Sequence, residues 1–120
     1  MQRILIGFAG LFGAVSVALA AAAHGLSARL DPGALAQLRN AVQINAWHAL
    51  ALLGIAAWLP RGGMLAEAAG ALIAAGTLVF CGAVYLLALG GIRLPHVAPL
   101  GGSVLILGWL VLAASAFTRG

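Results

Sequence analysis

Residues 4–23 read ILIGFAGLFGAVSVALAAAA, running from Ile4 to Ala23 without a charge. At about 1.5 Å per residue a helix of this length matches a hydrocarbon core roughly 30 Å thick. The stretch therefore predicts a membrane-spanning helix, flanked by Arg3 before it and His24-Gly25 after it. The rival reading is a secretory signal with Arg3 as its charged start. The apolar core of such a signal runs to only about 7–15 residues, so the spanning helix is preferred. Two stripes of small residues follow the helix, Gly10, Ala14, Ala18 and Ala22 on one line and Ala9, Gly13, Ser16, Ala20 and His24 beside it. In lipid, small residues let helix backbones approach, and packing replaces the hydrophobic drive. On that argument His24 is expected to face protein.

Composition extends this reading to the whole chain. Of 120 residues 64% are hydrophobic and 7% are charged, against about a quarter charged in soluble domains. So few charges do not cover a wet surface, and the chain reads as one all-α integral membrane domain. The six basic residues are Arg, spread singly, opposed by Asp31 and Glu67. No basic stripe exists to neutralise phosphates, which excludes a nucleic-acid partner and leaves the lipid bilayer. Cys81 is the single cysteine and has no disulfide partner within the chain.

Beyond the first span the sequence predicts three more, at about 41–59, 68–89 and 98–117, completing a four-helix membrane bundle. The polar connection 27–39 contains Asp31-Pro32, a helix start in which Asp caps and Pro fits the first turn, so part of it is expected to lie in the interface as a short helix. Pro60-Arg61-Gly62-Gly63 breaks the chain after the second span. Glu67 then sits favourably near a helix N-terminus. Gly70, Ala74, Thr77, Cys81, Tyr85 and Ala88 share one face of the third span, the pattern of a packed interface. Gly90-Gly91 and Pro95 break the chain again. Pro99-Leu100-Gly101-Gly102 opens the fourth span, where Gly101 and Gly102 serve helix start and close packing, and Arg119 closes it.

Four spans place both termini and the Pro60 turn on one side. Orientation by charge is then a tie, with Arg3, Arg61 and Arg119 against Arg29, Arg39 and Arg93. The free amino terminus tips the balance toward cytoplasmic termini.

The same connectivity gathers the polar groups in one half of the bundle. His24, Asn40, Gln43, Asn45, His48, Tyr85 and the Pro99–Gly102 turn all fall there. On a helical wheel Asn45 and His48 share one face, while Asn40, Gln43 and Trp47 share the opposite one. His48 lies two turns inside its span, where ionisable groups are costly and face protein or a water cavity. His24, Asn45, His48 and Tyr85 are therefore the candidate ligand-binding residues. The plainer reading makes His24 and His96 interfacial or capping residues, the His48/Asn45 pair a neutral interhelical hydrogen bond, and Trp47, Tyr85 and Trp109 packing or belt residues. No metal-ligand spacing and no haem-attachment motif is present. A bis-His haem between the first two spans would need the two His at matching depth, and His24 is the shallower. No nucleophile–base–acid constellation is visible, which leans against an enzyme.

Ala23-His24-Gly25-Leu26, Trp47-His48-Ala49-Leu50, the run Gly76 to Tyr85, and Pro99-Leu100-Gly101-Gly102 with Gly108-Trp109 resemble the small membrane proteins grouped as domain-of-unknown-function family 423. The resemblance covers nearly the whole chain. The family includes bacterial inner-membrane proteins and mitochondrial relatives called transmembrane protein 256-like. The resemblance implies a four-helix membrane fold, here in a bacterial inner membrane, and carries no established activity or cofactor. Ala stands here for the glycines usual before the first His, and Ile44-Asn45 for a common Tyr-Gln pair. A role for that Tyr does not transfer, although Asn45 keeps an amide. Three readings follow: a protein that binds or passes a small solute, proton or lipid, an accessory subunit in a homo-oligomer or larger membrane complex, and a haem or quinone redox protein.

Overall fold

The computed structural model describes residues 1–117, in three helices: α1 (Gln2–Leu26), α2 (Pro32–Gly90) and α3 (Val97–Ser115). All three are long and apolar enough to cross a membrane. The helical reading holds throughout, with three helices in place of the four expected because the second and third run into one another without a loop. A single helix covers both the second and third predicted spans, with only Gly63 departing from helical backbone, at φ 60° and ψ −143°. Arg119, expected to close the last span, lies outside the described residues.

Why α2 doubles back at one residue follows from Gly63. Its dihedrals are in a region that only glycine enters without strain. A straight helix of 59 residues would be about 88 Å long at 1.5 Å per residue, whereas the longest extent of the molecule is 51 Å. The two arms, 32–62 and 64–90, accordingly run antiparallel. Ile55 lies against Gly70, and the Cys81 thiol reaches the Ala41 carbonyl at 3.5 Å. Pro60 precedes the reversal by three residues and lies inside the first arm. Proline withholds the N–H that the carbonyl four residues earlier would accept. In α2 that carbonyl belongs to Ala56, and it accepts instead from Gln2 Nε2 at 3.0 Å. The start of α1 is thereby tied to the end of the first arm.

The remaining ends form as the sequence indicates. Asp31 caps α2, its Oδ1 accepting from Ala34 N at 2.7 Å, with Pro32 in the first turn. The helix then passes without interruption through 39–41, so the polar connection supplies the first turns of α2 rather than an interfacial helix of its own. Gly91, at φ 67°, ends α2, and the Gly91 and Ile92 N–H groups return to the Leu87 and Leu86 carbonyls.

The α2 hairpin is the centre of the fold. Leu5 and Phe12 of α1, Leu52 and Ile55 of the first arm, Ile73 of the second and Leu105 of α3 share one core. A smaller cluster of Ala23, Leu38 and Ala88 packs the opposite end. α3 lies close against the second arm: a Cβ on Gly101 would stand 2.8 Å from Phe80 Cα, and one on Gly108 would stand 2.8 Å from Ile73 Cγ1. Gly101 thus has the close-packing role expected of it, while Gly102 faces only the Phe80 ring at 3.8 Å. No Cα of α1 comes within 8 Å of one of α3. The two outer helices flank the hairpin with no close backbone approach to each other, and each keeps a broad outward face. On α1 that face includes Gly10, Ala14, Ala18 and Ala22, all exposed, whereas Ala9 and Ser16 of the second stripe are buried.

Gly63→Ala should destabilise the protein by about 1–3 kcal/mol through backbone strain. Gly54→Ala, at a helical position with open space around it, should be neutral or stabilise by about 0.5–1 kcal/mol. Thermal unfolding of both variants in mild detergent checks the contrast, and equal midpoints would remove Gly63 from its role as the reversal point.

Candidate functional site

The two faces of the first arm separate as the helical wheel predicts. Asn45 and His48 are buried, at 2% and 7% exposure, while Asn40, Gln43 and the 56%-exposed Trp47 face outward. The inward pair does not converge on one partner, however, because Asn45 turns to the second arm and His48 to α3.

His48 is fully bonded. Its Nε2 lies 3.0 Å from Trp109 Nε1, and its Nδ1 lies 2.7 Å from the Ile44 carbonyl. An indole N–H only donates, so Nε2 must be the acceptor, and Nδ1 then carries the proton and donates to Ile44 O. This is the neutral imidazole with both nitrogens used. The rings meet edge to face, centroids 5.7 Å apart at 65°. Trp109, read from the sequence as packing or belt, is the partner that sequence reasoning missed. A signal for it lies in the requirement that a buried Trp N–H find an acceptor, but sequence spacing does not pair residues 48 and 109. With Nε2 engaged, His48 does not present the free nitrogen that a bis-His haem would need, and His24 lies on a separate groove.

Asn45 makes one bond and lacks another. Its Nδ2 donates to the Tyr85 hydroxyl at 2.9 Å, bridging the two arms of α2. Its Oδ1 is the one buried side-chain polar atom without a partner among the described residues. Both residues line a groove of about 340 Å³ between α1 and the second arm, walled by Phe8, Leu11, Phe12 and Val15 on one side and Thr77, Leu78, Cys81 and Gly82 on the other. The other polar side chains in this wall are already engaged: Thr77 donates to Ile73 O of its own helix at 2.7 Å, and Cys81 donates across the hairpin to Ala41 O. The groove wall is thus apolar apart from Asn45 and Tyr85: the Tyr85 hydroxyl, already an acceptor, keeps its own proton to donate, and Asn45 Oδ1 lies buried behind the wall without a donor.

His24 is not part of this constellation. It is exposed, and it lines a second groove on the other flank of α1, together with Arg39 and Gln43. Of the four candidates, the structure brings Asn45 and Tyr85 together, joins His48 to Trp109 one turn further along, and sets His24 apart. Among the described residues no three His, Cys, Asp or Glu side chains cluster as a metal site would require.

Three membrane-length helices, with no strand among the described residues and a buried amide beside an apolar groove, define a small multi-pass membrane protein. The chain belongs to the family described as "Protein of unknown function (DUF423)", whose profile matches residues 18–102. It is 32% identical over 118 residues to UPF0382 inner membrane protein YgdD of Escherichia coli (strain K12), covering 96% of this chain and 90% of that one. A UPF0382 membrane protein of Haemophilus influenzae is 31% identical over 119 residues, 98% of this chain and 96% of its own. UPF0382 membrane protein SH2409 of Staphylococcus haemolyticus is 35% identical over 96 residues, 79% of each chain. No solved structure matches. The family and these names agree with a location in the bacterial inner membrane, in contact with the bilayer.

A double-mutant cycle on His48→Leu and Trp109→Phe, followed by thermal unfolding, should give a coupling of about 0.6 kcal/mol, the average for interhelical hydrogen bonds in membranes, and no more than about 1.7 kcal/mol. A coupling of zero would dissociate the two rings energetically.

Proposed function

We propose that this protein holds a membrane-dissolved molecule with an apolar body and a hydroxyl group in the groove between α1 and the second arm of α2. The observation that carries this reading is the unpartnered Oδ1 of Asn45. A buried carbonyl without a donor costs about 1–3 kcal/mol, and in lipid no bulk water compensates it. Asn45 Oδ1 is buried just behind the groove wall, so a hydroxyl that displaces the wall side chains over it matches the vacancy in both senses, donating to Oδ1 and accepting from Tyr85 O–H. The aromatic and aliphatic walls suit the rest of such a molecule, a class that includes lipids with free hydroxyls and quinols. The reading also rests on four crossings by α1, the two arms of α2 and α3, each arm exceeding the roughly 20 residues a span requires. In that arrangement the grooves open sideways to the hydrocarbon.

A second reading, as an accessory subunit of a homo-oligomer or larger membrane complex, is favoured by the exposed ridge Gly10, Ala14, Ala18 and Ala22 on α1. Small-residue ridges of this kind let another helix approach closely. Retention of a stoichiometric membrane partner through purification in mild detergent, lost on Ala14→Leu, supports it.

The first reading is tested with Asn45→Leu. Removing the amide also removes an unsatisfied polar group, so unfolding should shift by less than about 1 kcal/mol in either direction. Native mass spectrometry of the protein released from its own membrane should show an adduct on the wild type that the variant lacks. Two bare proteins, or the same adduct on both, would overturn the assignment.

A further inference from the structure

The second groove, on the opposite flank of α1 from Asn45, has a different chemistry and is independent of the reading above. It occupies about 560 Å³ between the C-terminal half of α1 and the beginning of α2. At its outer end stand His24, Arg39 and Gln43. Further in, its walls are Val17, Ala20 and Ala46, and the short alanine side chains are what keep the space open. From the level of His24 to that of Ser16 is two turns of α1, about 12 Å at 1.5 Å per residue.

The hydrogen bonds around the groove run elsewhere. Ser16 Oγ donates to Phe12 O at 2.8 Å, Ser27 Oγ donates to His24 O at 2.9 Å, and Asp31 Oδ1 accepts from Ala34 N. The inner end is therefore satisfied and asks for no polar partner. The outer end presents a guanidinium, an imidazole and an amide that make no bond of their own among the described residues. Asp31 is the one acid at this end of the molecule, against Arg29, Arg39 and Arg93; its carboxylate is committed to the cap, and Glu67 belongs to the far end, near Gly63. A cationic mouth at the level of the helix ends, above an apolar slot that runs along the helices, has the layout of an anionic lipid read from headgroup to tail.

We propose that this groove seats one anionic phospholipid, its phosphate against Arg39, His24 and Gln43 and an acyl chain against Val17, Ala20 and Ala46. A guanidinium recognises phosphate by paired N–H donors. The apolar slot is what selects a lipid over a soluble phosphate.

The test uses the full-length protein in phosphatidylcholine nanodiscs carrying a minority of phosphatidylglycerol, with bound lipid counted by native mass spectrometry after release. Phosphatidylglycerol should be retained in preference to phosphatidylcholine. Arg39→Gln should lower its retention about fivefold, the effect of one basic residue near an anionic surface, and the further change His24→Gln should lower it again. Ala20→Leu fills the slot without altering charge and should lower retention as well. Arg29→Gln removes a cation from the same end outside the groove and should leave retention unchanged. Arg39, His24 and Ala20 are exposed, so these substitutions leave the core intact. Three results would each overturn the proposal: equal retention of both lipids, an Arg29→Gln effect as large as that of Arg39→Gln, or displacement of the lipid by glycerol phosphate alone.

Discussion

In a hydrocarbon solvent every polar group has to find its partner inside the protein, and this constraint explains more of the structure than any single contact. The hydroxyls of Ser16, Thr77 and Ser103 return to carbonyls one turn back. Trp58 Nε1 reaches Ser115 Oγ at 3.0 Å, and Ser115 in turn donates to Leu112 O, fastening the end of α3 to the first arm of α2. Pro60 frees a carbonyl, and Gln2 arrives to occupy it. Against such thorough pairing, the one buried side-chain atom left over among the described residues, Asn45 Oδ1, is conspicuous.

The same constraint gives His48 and Asn45 different meanings although they are neighbours on one helix face. The imidazole has one acceptor and one donor, and both are met by Trp109 and Ile44, so it behaves as an interhelical pin. The amide has more hydrogen-bonding capacity than Tyr85 alone can meet, and its unmet oxygen is buried in the wall of an apolar groove. Packing supplies the grooves themselves. α1 lies on the α2 hairpin without reaching α3, so a hollow remains along each of its flanks. One hollow is apolar with a buried amide, and the other is cationic at its mouth. Two amphiphiles of different headgroup chemistry would therefore sit on either side of the same helix.

Much of this architecture was legible in the sequence because helical periodicity and segment length survive without knowledge of contacts. The helical segments, the Asp31 cap, the reversal after Pro60, the packed stripe from Gly70 to Ala88 and the inward turn of Asn45 and His48 all come from spacing alone. What was not legible depends on which helix faces which. The stripes on α1 looked equivalent, yet only the one with Ala9 and Ser16 packs, and His24 at the end of that stripe is exposed because at this level α1 meets the hairpin through Ala23 instead. Trp109 could not be matched to His48 across 61 residues, and the separation of His24 from Asn45 required the crossing of α1 over α2. The boundary expected at Pro60–Gly63 is narrower than the sequence suggests, since a single glycine with a positive φ accomplishes a reversal that would ordinarily need a loop.

The central claim is that Asn45 Oδ1 receives its missing hydrogen bond from a hydroxyl-bearing molecule of the membrane. Solid-state NMR of protein carrying a ¹³C label at the Asn45 carboxamide tests it most directly. The label is compared in phosphatidylcholine, which has no hydrogen-bond donor, and in lipid extracted from the native membrane. The account predicts that the carboxamide resonance moves between the two preparations and that Asn45-to-ligand proton contacts appear only in the native extract. An unchanged resonance with contacts to protein or water alone would contradict it.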